Sequence, residues 1–150
     1  MNAKLFTFDT VAGAIGTFFS YLYGGWTGAM SCLIVCMVVD YVTGLIVAGF
    51  GRSMKSKNGG LDSHIGWIGL AKKVMTLVML AVVHVIGLTI PGAEALFDIA
   101  VIGYIANEAI SICENARLMG ISLGPVNGLL DILKPIQNAG DDAKAEDEEV

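Results

Sequence analysis

The sequence predicts an all-α integral membrane protein built of helical hairpins, with four transmembrane helices, or three if the first segment does not span. Of the 150 residues, 55% are hydrophobic and only 15% are charged, and the mean hydropathy is +0.69. Soluble domains are about 45–50% apolar and about 25% charged. The apolar residues also fall into four long stretches, separated by breaks rich in glycine and proline.

A membrane-spanning helix needs about 20 mainly apolar residues, and four stretches approach this length. The predicted spans are 8–24, 29–50, 70–90 and 95–113. The second span contains Asp40 as its only charge. The third span requires Lys72 and Lys73 to extend to the membrane interface. The fourth contains Asp98 and Glu108, which we expect to face protein or water rather than lipid.

The first stretch is the shortest and is interrupted by Asp9. Its Ala12, Gly16 and Ser20 form a row of small residues at helical spacing, which favours close helix contact in a membrane. An interfacial or re-entrant helix would have a similar pattern. Two interpretations of segment 8–24, a spanning helix and an interfacial or re-entrant helix, therefore stay open at this point.

The basic residues predict the orientation. With four spans, all nine lysines and arginines lie on the same side as the 51–73 loop. By the positive-inside rule, that loop and the carboxyl terminus are cytoplasmic, in a multi-pass protein of the inner membrane. The amino terminus is cytoplasmic with four spans and external with three.

Beyond the last span the pattern changes. Val126, Leu129, Leu130 and Leu133 recur at the spacing of an amphipathic helix over 125–134, so the membrane domain is expected to cover 1–136. The last ten residues hold six acids and one base, which equals the net charge of −5 of the whole chain. Such self-repelling sequence predicts a disordered acidic cytoplasmic tail over 137–150.

The polar residues inside the spans are the candidates for function. Asp40 adjoins a seam of small residues that includes Gly44, and Glu108 lies beside a row of polar residues on the fourth span. Each group is expected either to bond between helices or to line water. The candidate pore or oligomer-interface residues are Asp40, Gly44, His84, Asn107, Glu108, Ser111 and Asn115. His84 is the least specific of these, because a lone histidine in a span usually packs in its neutral form.

Several classes of function are excluded. The chain has no glycine-rich phosphate loop, nucleophile elbow or HExxH motif. Its three cysteines lie in apolar runs without metal-ligand spacing, and no basic patch carries interleaved aromatics. We therefore predict no enzyme, no catalytic residue, no metal, no cofactor and no nucleic-acid partner.

Three motifs in order carry a family resemblance over about residues 35–136. They are DYVTGLIVA from Asp40, the spaced set Ser63, Gly66, Gly69, Leu70, Lys72, Lys73 and His84, and YIANEAISICENA from Tyr104 followed by Gly120, Ile121 and Pro125. The chain thus resembles the toxin-secretion and phage-lysis holin family. The resemblance implies a non-enzymatic protein that forms homo-oligomers in the cytoplasmic membrane of a host bacterium. It also implies lesions that release an endolysin or a toxin, without necessary direct contact, and so cause lysis.

Two other classes compete with this interpretation. A small oligomeric ion channel or transporter subunit would also place polar residues inside its spans. A scaffold that anchors a partner through its cytoplasmic helix would leave permeability unchanged. Passage of a folded enzyme across the membrane separates the first interpretation from both.

Overall fold

The computed structural model describes residues 3–56 and 58–126, together with positions 128, 132 and 135. Its elements are α1 (Ala3–Tyr23), α2 (Gly28–Gly49), α3 (Ser63–Thr89), α4 (Leu96–Leu118) and a short 3-10 helix (Gly124–Val126). The described part of the chain contains no strand, so the predicted all-α class is confirmed. The predicted amphipathic helix 125–134 lies largely outside the described residues, as does the tail 137–150, and both remain predictions.

Three helices, α2, α3 and α4, are long and apolar enough to cross a bilayer. The 22 residues of α2 correspond to about 33 Å of helix, close to the thickness of a hydrocarbon core. The Thr27 side chain caps α2 by accepting a hydrogen bond from the Met30 N–H. Trp26 and Trp67 lie near opposite ends of this group of helices and are both largely exposed, as is typical of residues at membrane interfaces.

Helix α3 begins well before the predicted span at residue 70. Asp62 causes this early start, because its Oδ1 accepts hydrogen bonds from the backbone N–H groups of His64 (2.8 Å) and Ile65 (3.3 Å). Lys72 and Lys73 therefore lie inside the helix, not at its first turn. Lys72 is exposed, but the prediction that Lys73 extends to the interface is wrong, because its ammonium group turns towards α2 and α4.

Two tight turns, 24–27 between α1 and α2 and 90–95 between α3 and α4, lie at one end of the molecule, which we call the turn end. The segment 50–62 between α2 and α3 lies at the opposite end, which we call the loop end. In the turn between α3 and α4, Gly92 has a φ of 88°. Its N–H donates to Glu94 Oε1 at 3.2 Å. Hydrogen bonds from the backbone N–H groups of Glu94 and Gly92 lower the pKa of this carboxyl below its usual 4.5.

The apolar core lies towards the turn end. Its most deeply buried side chains are Met30, Leu33, Leu80 and Val101. Helices α2 and α4 form the closest pair. Helix α1 packs against α3 through its last turn, and residues 9–21 of α1 are all exposed. The structure thus contains a three-helix unit to which α1 is attached at one point.

Candidate polar interface

A cluster of three charged side chains joins the middle parts of the three long helices. Lys73 of α3 donates to Asp40 Oδ2 of α2 at 2.8 Å and to Glu108 Oε2 of α4. The side chains of Lys73, Asp40 and Glu108 are only 14%, 13% and 9% exposed. We call these three residues the charge cluster.

Asn115 extends the cluster on the loop side. Its Nδ2 lies 3.3 Å from the Asp40 carbonyl oxygen, 3.1 Å from Asp40 Oδ1 and 3.0 Å from Thr43 Oγ1. Gly44 lies beside this amide: a Cβ atom there would lie 3.7 Å from the same nitrogen, an ordinary van der Waals contact. The small-residue seam beside Asp40 is therefore the surface on which α4 packs.

The cluster explains how two acids can lie in membrane-spanning helices. A lone carboxylate at the centre of a span costs at least about 2.5–3.5 kcal/mol on insertion scales. Here one ammonium group pairs with both carboxylates, and Asn115 satisfies the second oxygen of Asp40. The formal charge of the cluster is nevertheless −1, because two acids face one base.

The remaining candidates of α4 lie beside the charge cluster without bonding to it. Asn107 is exposed and Ser111 is half-buried. Both line a cavity of about 560 Å³ that Asp40, Gly44 and Glu108 also line. Five of the predicted candidates therefore line this cavity, and Asn115 joins them through its hydrogen bond to Asp40.

His84 is the exception. It lies eleven residues beyond Lys73 on α3, which is about 16 Å along the helix axis. Its ring contacts Phe97 edge-on, with 5.2 Å between centroids. A Cβ atom at Gly24 would lie 2.6 Å from His84 Cε1. The structure thus places His84 under the turn between α1 and α2, away from the charge cluster.

Sequence reasoning missed Lys73 and Thr43 as members of the polar interface. A usable signal was present, because ionisable residues inside spans commonly pair with one another. The hydropathy pattern alone predicts Lys73 at the membrane boundary instead. Among the described residues, no group of three or more histidines, cysteines and acids could hold a metal ion, and the three cysteines are free thiols.

Comparison with known proteins decides the family. The sequence profile of the bacteriophage holin family matches residues 17–138. The chain belongs to the bacteriophage holin family. The match includes α2, α3 and α4 with the whole charge cluster, and it leaves out most of α1. The resemblance to this family is thereby confirmed, and the chain is a holin-type integral membrane protein of a non-enzymatic family.

Individual relatives agree with this assignment. An uncharacterised protein of Halalkalibacterium halodurans is 40% identical over 115 residues, 73% of this chain and 80% of that protein. An uncharacterised protein of Listeria monocytogenes is 33% identical over 134 residues, which cover 89% of this chain and 86% of that protein. A probable holin of Bacillus phage phi105 is 25% identical over 130 residues, which cover 87% of this chain and 89% of that holin. No solved structure matches this chain.

Proposed function

We propose that this protein is a holin that oligomerises in the cytoplasmic membrane of a host bacterium. The oligomer opens lesions through which a cell-wall hydrolase or a toxin leaves the cytoplasm, and lysis follows. The released protein needs no direct contact with the chain. The first helix is a fourth span in this proposal, which puts both termini and the loop end in the cytoplasm.

The charge cluster is the observation that carries the proposal. The single chain already gives both buried acids hydrogen-bond partners, through contacts between α2, α3 and α4. The same side chains can instead face water in a larger ring, because either arrangement keeps them out of lipid. Two arrangements that differ by a few kcal/mol can then be exchanged by protein concentration alone.

The decisive experiment measures two permeabilities in the same cells. The full chain is expressed in bacteria that contain a folded cytosolic reporter enzyme, and membrane potential and external enzyme activity are followed. We expect the potential to collapse and the reporter to appear outside the cytoplasmic membrane. Loss of potential without reporter release would favour a narrow ion channel instead. No change in either quantity would favour an anchoring scaffold.

Variants of the charge cluster test whether this site is responsible. Asp40→Ala and Glu108→Gln each remove a charge from the cluster, and both are expected to shift the onset of reporter release. Asp98→Asn is the matched control, because Asp98 is an exposed acid near the turn end of α4. Immunoblots of the membrane fraction verify insertion. Wild-type onset in both cluster variants would contradict a role for these residues.

A further inference from the structure

The two asparagines of α4 have opposite surroundings. Asn115 is 7% exposed, and its amide nitrogen donates to oxygen atoms of Asp40 and Thr43 in α2. Asn107 is exposed, and its side chain makes no hydrogen bond with any described residue. The two side chains leave the helix about 80° apart. Asn115 thus bonds α4 to α2 within one chain, whereas the amide of Asn107 has no partner among the described residues.

Asn107 also lies at the centre of its membrane-spanning helix. Helix α4 runs from Leu96 to Leu118, so Asn107 is about 16 Å from either end along the helix axis. Half of a hydrocarbon core is about 15 Å thick, which places the amide near the bilayer midplane. Acyl chains offer no hydrogen-bond donor or acceptor, so an amide that faces them at this depth is unfavourable.

The surface around Asn107 lets another helix approach closely. Gly103 lies one turn before Asn107 on the same face of α4, and Ser111 lies one turn after it. A Cβ atom at Gly103 would meet none of the described atoms within 4 Å. Small residues at this spacing allow two helix backbones to pack closely in a membrane. We call Gly103, Asn107 and Ser111 the α4 strip, with the unpartnered amide at its middle.

A second copy of this chain fits the α4 strip. Copies inserted with the same orientation have the same residue at the same depth, so two α4 helices that pack side by side bring two Asn107 side chains together. The amide is self-complementary, because its Nδ2 donates hydrogen bonds and its Oδ1 accepts them. A two-fold axis along the membrane normal therefore gives both amides a partner.

We propose that two copies associate through the α4 strip, with a hydrogen bond between their Asn107 amides at the bilayer midplane. The contact leaves Lys73 bonded to Asp40 and Glu108. It therefore holds two copies together while the charge cluster of each remains paired. This contact surface rests on the oligomerisation proposed above and gives that oligomerisation a specific location.

Cysteine cross-linking in membranes tests the location of the contact. In a variant that lacks the three native thiols, Ser111→Cys places a thiol on the α4 strip and keeps Asn107 in place. Ile102→Cys is the matched control, because Ile102 is 58% exposed but lies about 180° from Ser111 round the helix. With a membrane-permeant oxidant, we expect a disulfide-linked dimer from Ser111→Cys and little from Ile102→Cys on non-reducing gels. Equal yields from the two positions would overturn the proposal.

Amide variants test the hydrogen bond itself. The purified Ser111→Cys protein is reconstituted in liposomes at decreasing protein-to-lipid ratios, and the cross-linked fraction gives the dissociation constant of the dimer. Asn107→Leu is expected to weaken association about ten-fold, whereas Asn107→Gln, which keeps an amide, should restore most of it. Circular dichroism should show the same helix content in all variants, because the amide has no partner among the described residues of its own chain.

Wild-type association of Asn107→Leu would overturn the proposal and would show instead that water in the neighbouring cavity satisfies the amide. The liposome experiment measures association alone and requires no lesion. Its failure would therefore leave the reporter-release experiment unaffected, and absence of reporter release would leave the dimer measurement unaffected.

Discussion

At the scale of single residues, the position of Lys73 is the most informative feature of the molecule. Its ammonium group accounts for the presence of both Asp40 and Glu108 in the spans. The neighbouring Lys72 has the same chemistry but is exposed and pairs with neither acid. One helical step of about 100° therefore separates an exposed lysine from one that holds three helices together.

The two lysines provide a matched comparison. Replacing Lys73 by Met leaves two carboxylates without a cation, and we expect it to lower the free energy of unfolding by about 3 kcal/mol. Lys72→Met should change it by less than about 0.5 kcal/mol. Unfolding of the purified protein in mixed micelles, followed by circular dichroism, measures both. Equal stability of the two variants would show that the charge cluster contributes little.

At the scale of elements, the four helices differ in how firmly they are held. Helices α2 and α4 are joined by packing, by Asn115 and through the charge cluster. Helix α1 is joined to the rest at its last turn, where Tyr23 Oη donates to the Leu77 carbonyl oxygen at 3.2 Å. The turn that follows α1 lies directly over His84. The orientation of α1 thus depends on this turn.

Substitutions in that turn test the dependence. Gly24 and Gly25 have φ angles of 68° and 106°, so alanine at either position should cost about 1 kcal/mol of backbone energy. Gly24→Ala should lower the free energy of unfolding by about 1 kcal/mol more than Gly25→Ala does, because its Cβ atom would meet the His84 ring. Gly25 has open space around it. In a double-mutant cycle, the His84→Ala background should remove this additional cost of Gly24→Ala and leave the cost of Gly25→Ala unchanged. An unchanged cost of Gly24→Ala in the His84→Ala background would contradict the contact.

At the scale of the whole molecule, most of the apolar surface faces outwards. Many large hydrophobic side chains of α2, α3 and α4 are exposed, which would be unfavourable in water but matches a lipid environment. The two tryptophans lie towards opposite ends of the three-helix unit. The molecule is thus suited to a bilayer with its polar groups gathered at one internal site.

The orientation of the molecule can be tested with single cysteines in a variant that lacks the three native thiols. Met54 is 84% exposed at the loop end, and Ala95 is exposed at the turn end. In intact spheroplasts, an impermeant thiol reagent should label Ala95→Cys and should label Met54→Cys only after permeabilisation. Ala3→Cys should behave as Met54→Cys does if α1 spans the bilayer. Labelling of Ala3→Cys in intact cells would instead support three spans.

Local patterns in the sequence were sufficient to establish the all-α class and the approximate positions of the helices, and they predicted most of the residues around the cavity and the charge cluster. Apolar length and turn residues act locally along the chain, so they can be read without knowledge of packing. Of the expected interface residues, six lie together around the cavity and the charge cluster. The span count and the orientation remain predictions.

The partners of those residues follow from the tertiary structure and from nothing in the local sequence. Lys73 lies 33 residues from Asp40 and 35 from Glu108 in the chain, and no periodic pattern links them. It also separated His84 from the other candidates and placed it under the first turn. The physical reason is that pairing depends on the rotation of each helix about its axis. That rotation is set by packing between helices, whereas hydropathy depends only on composition along one helix.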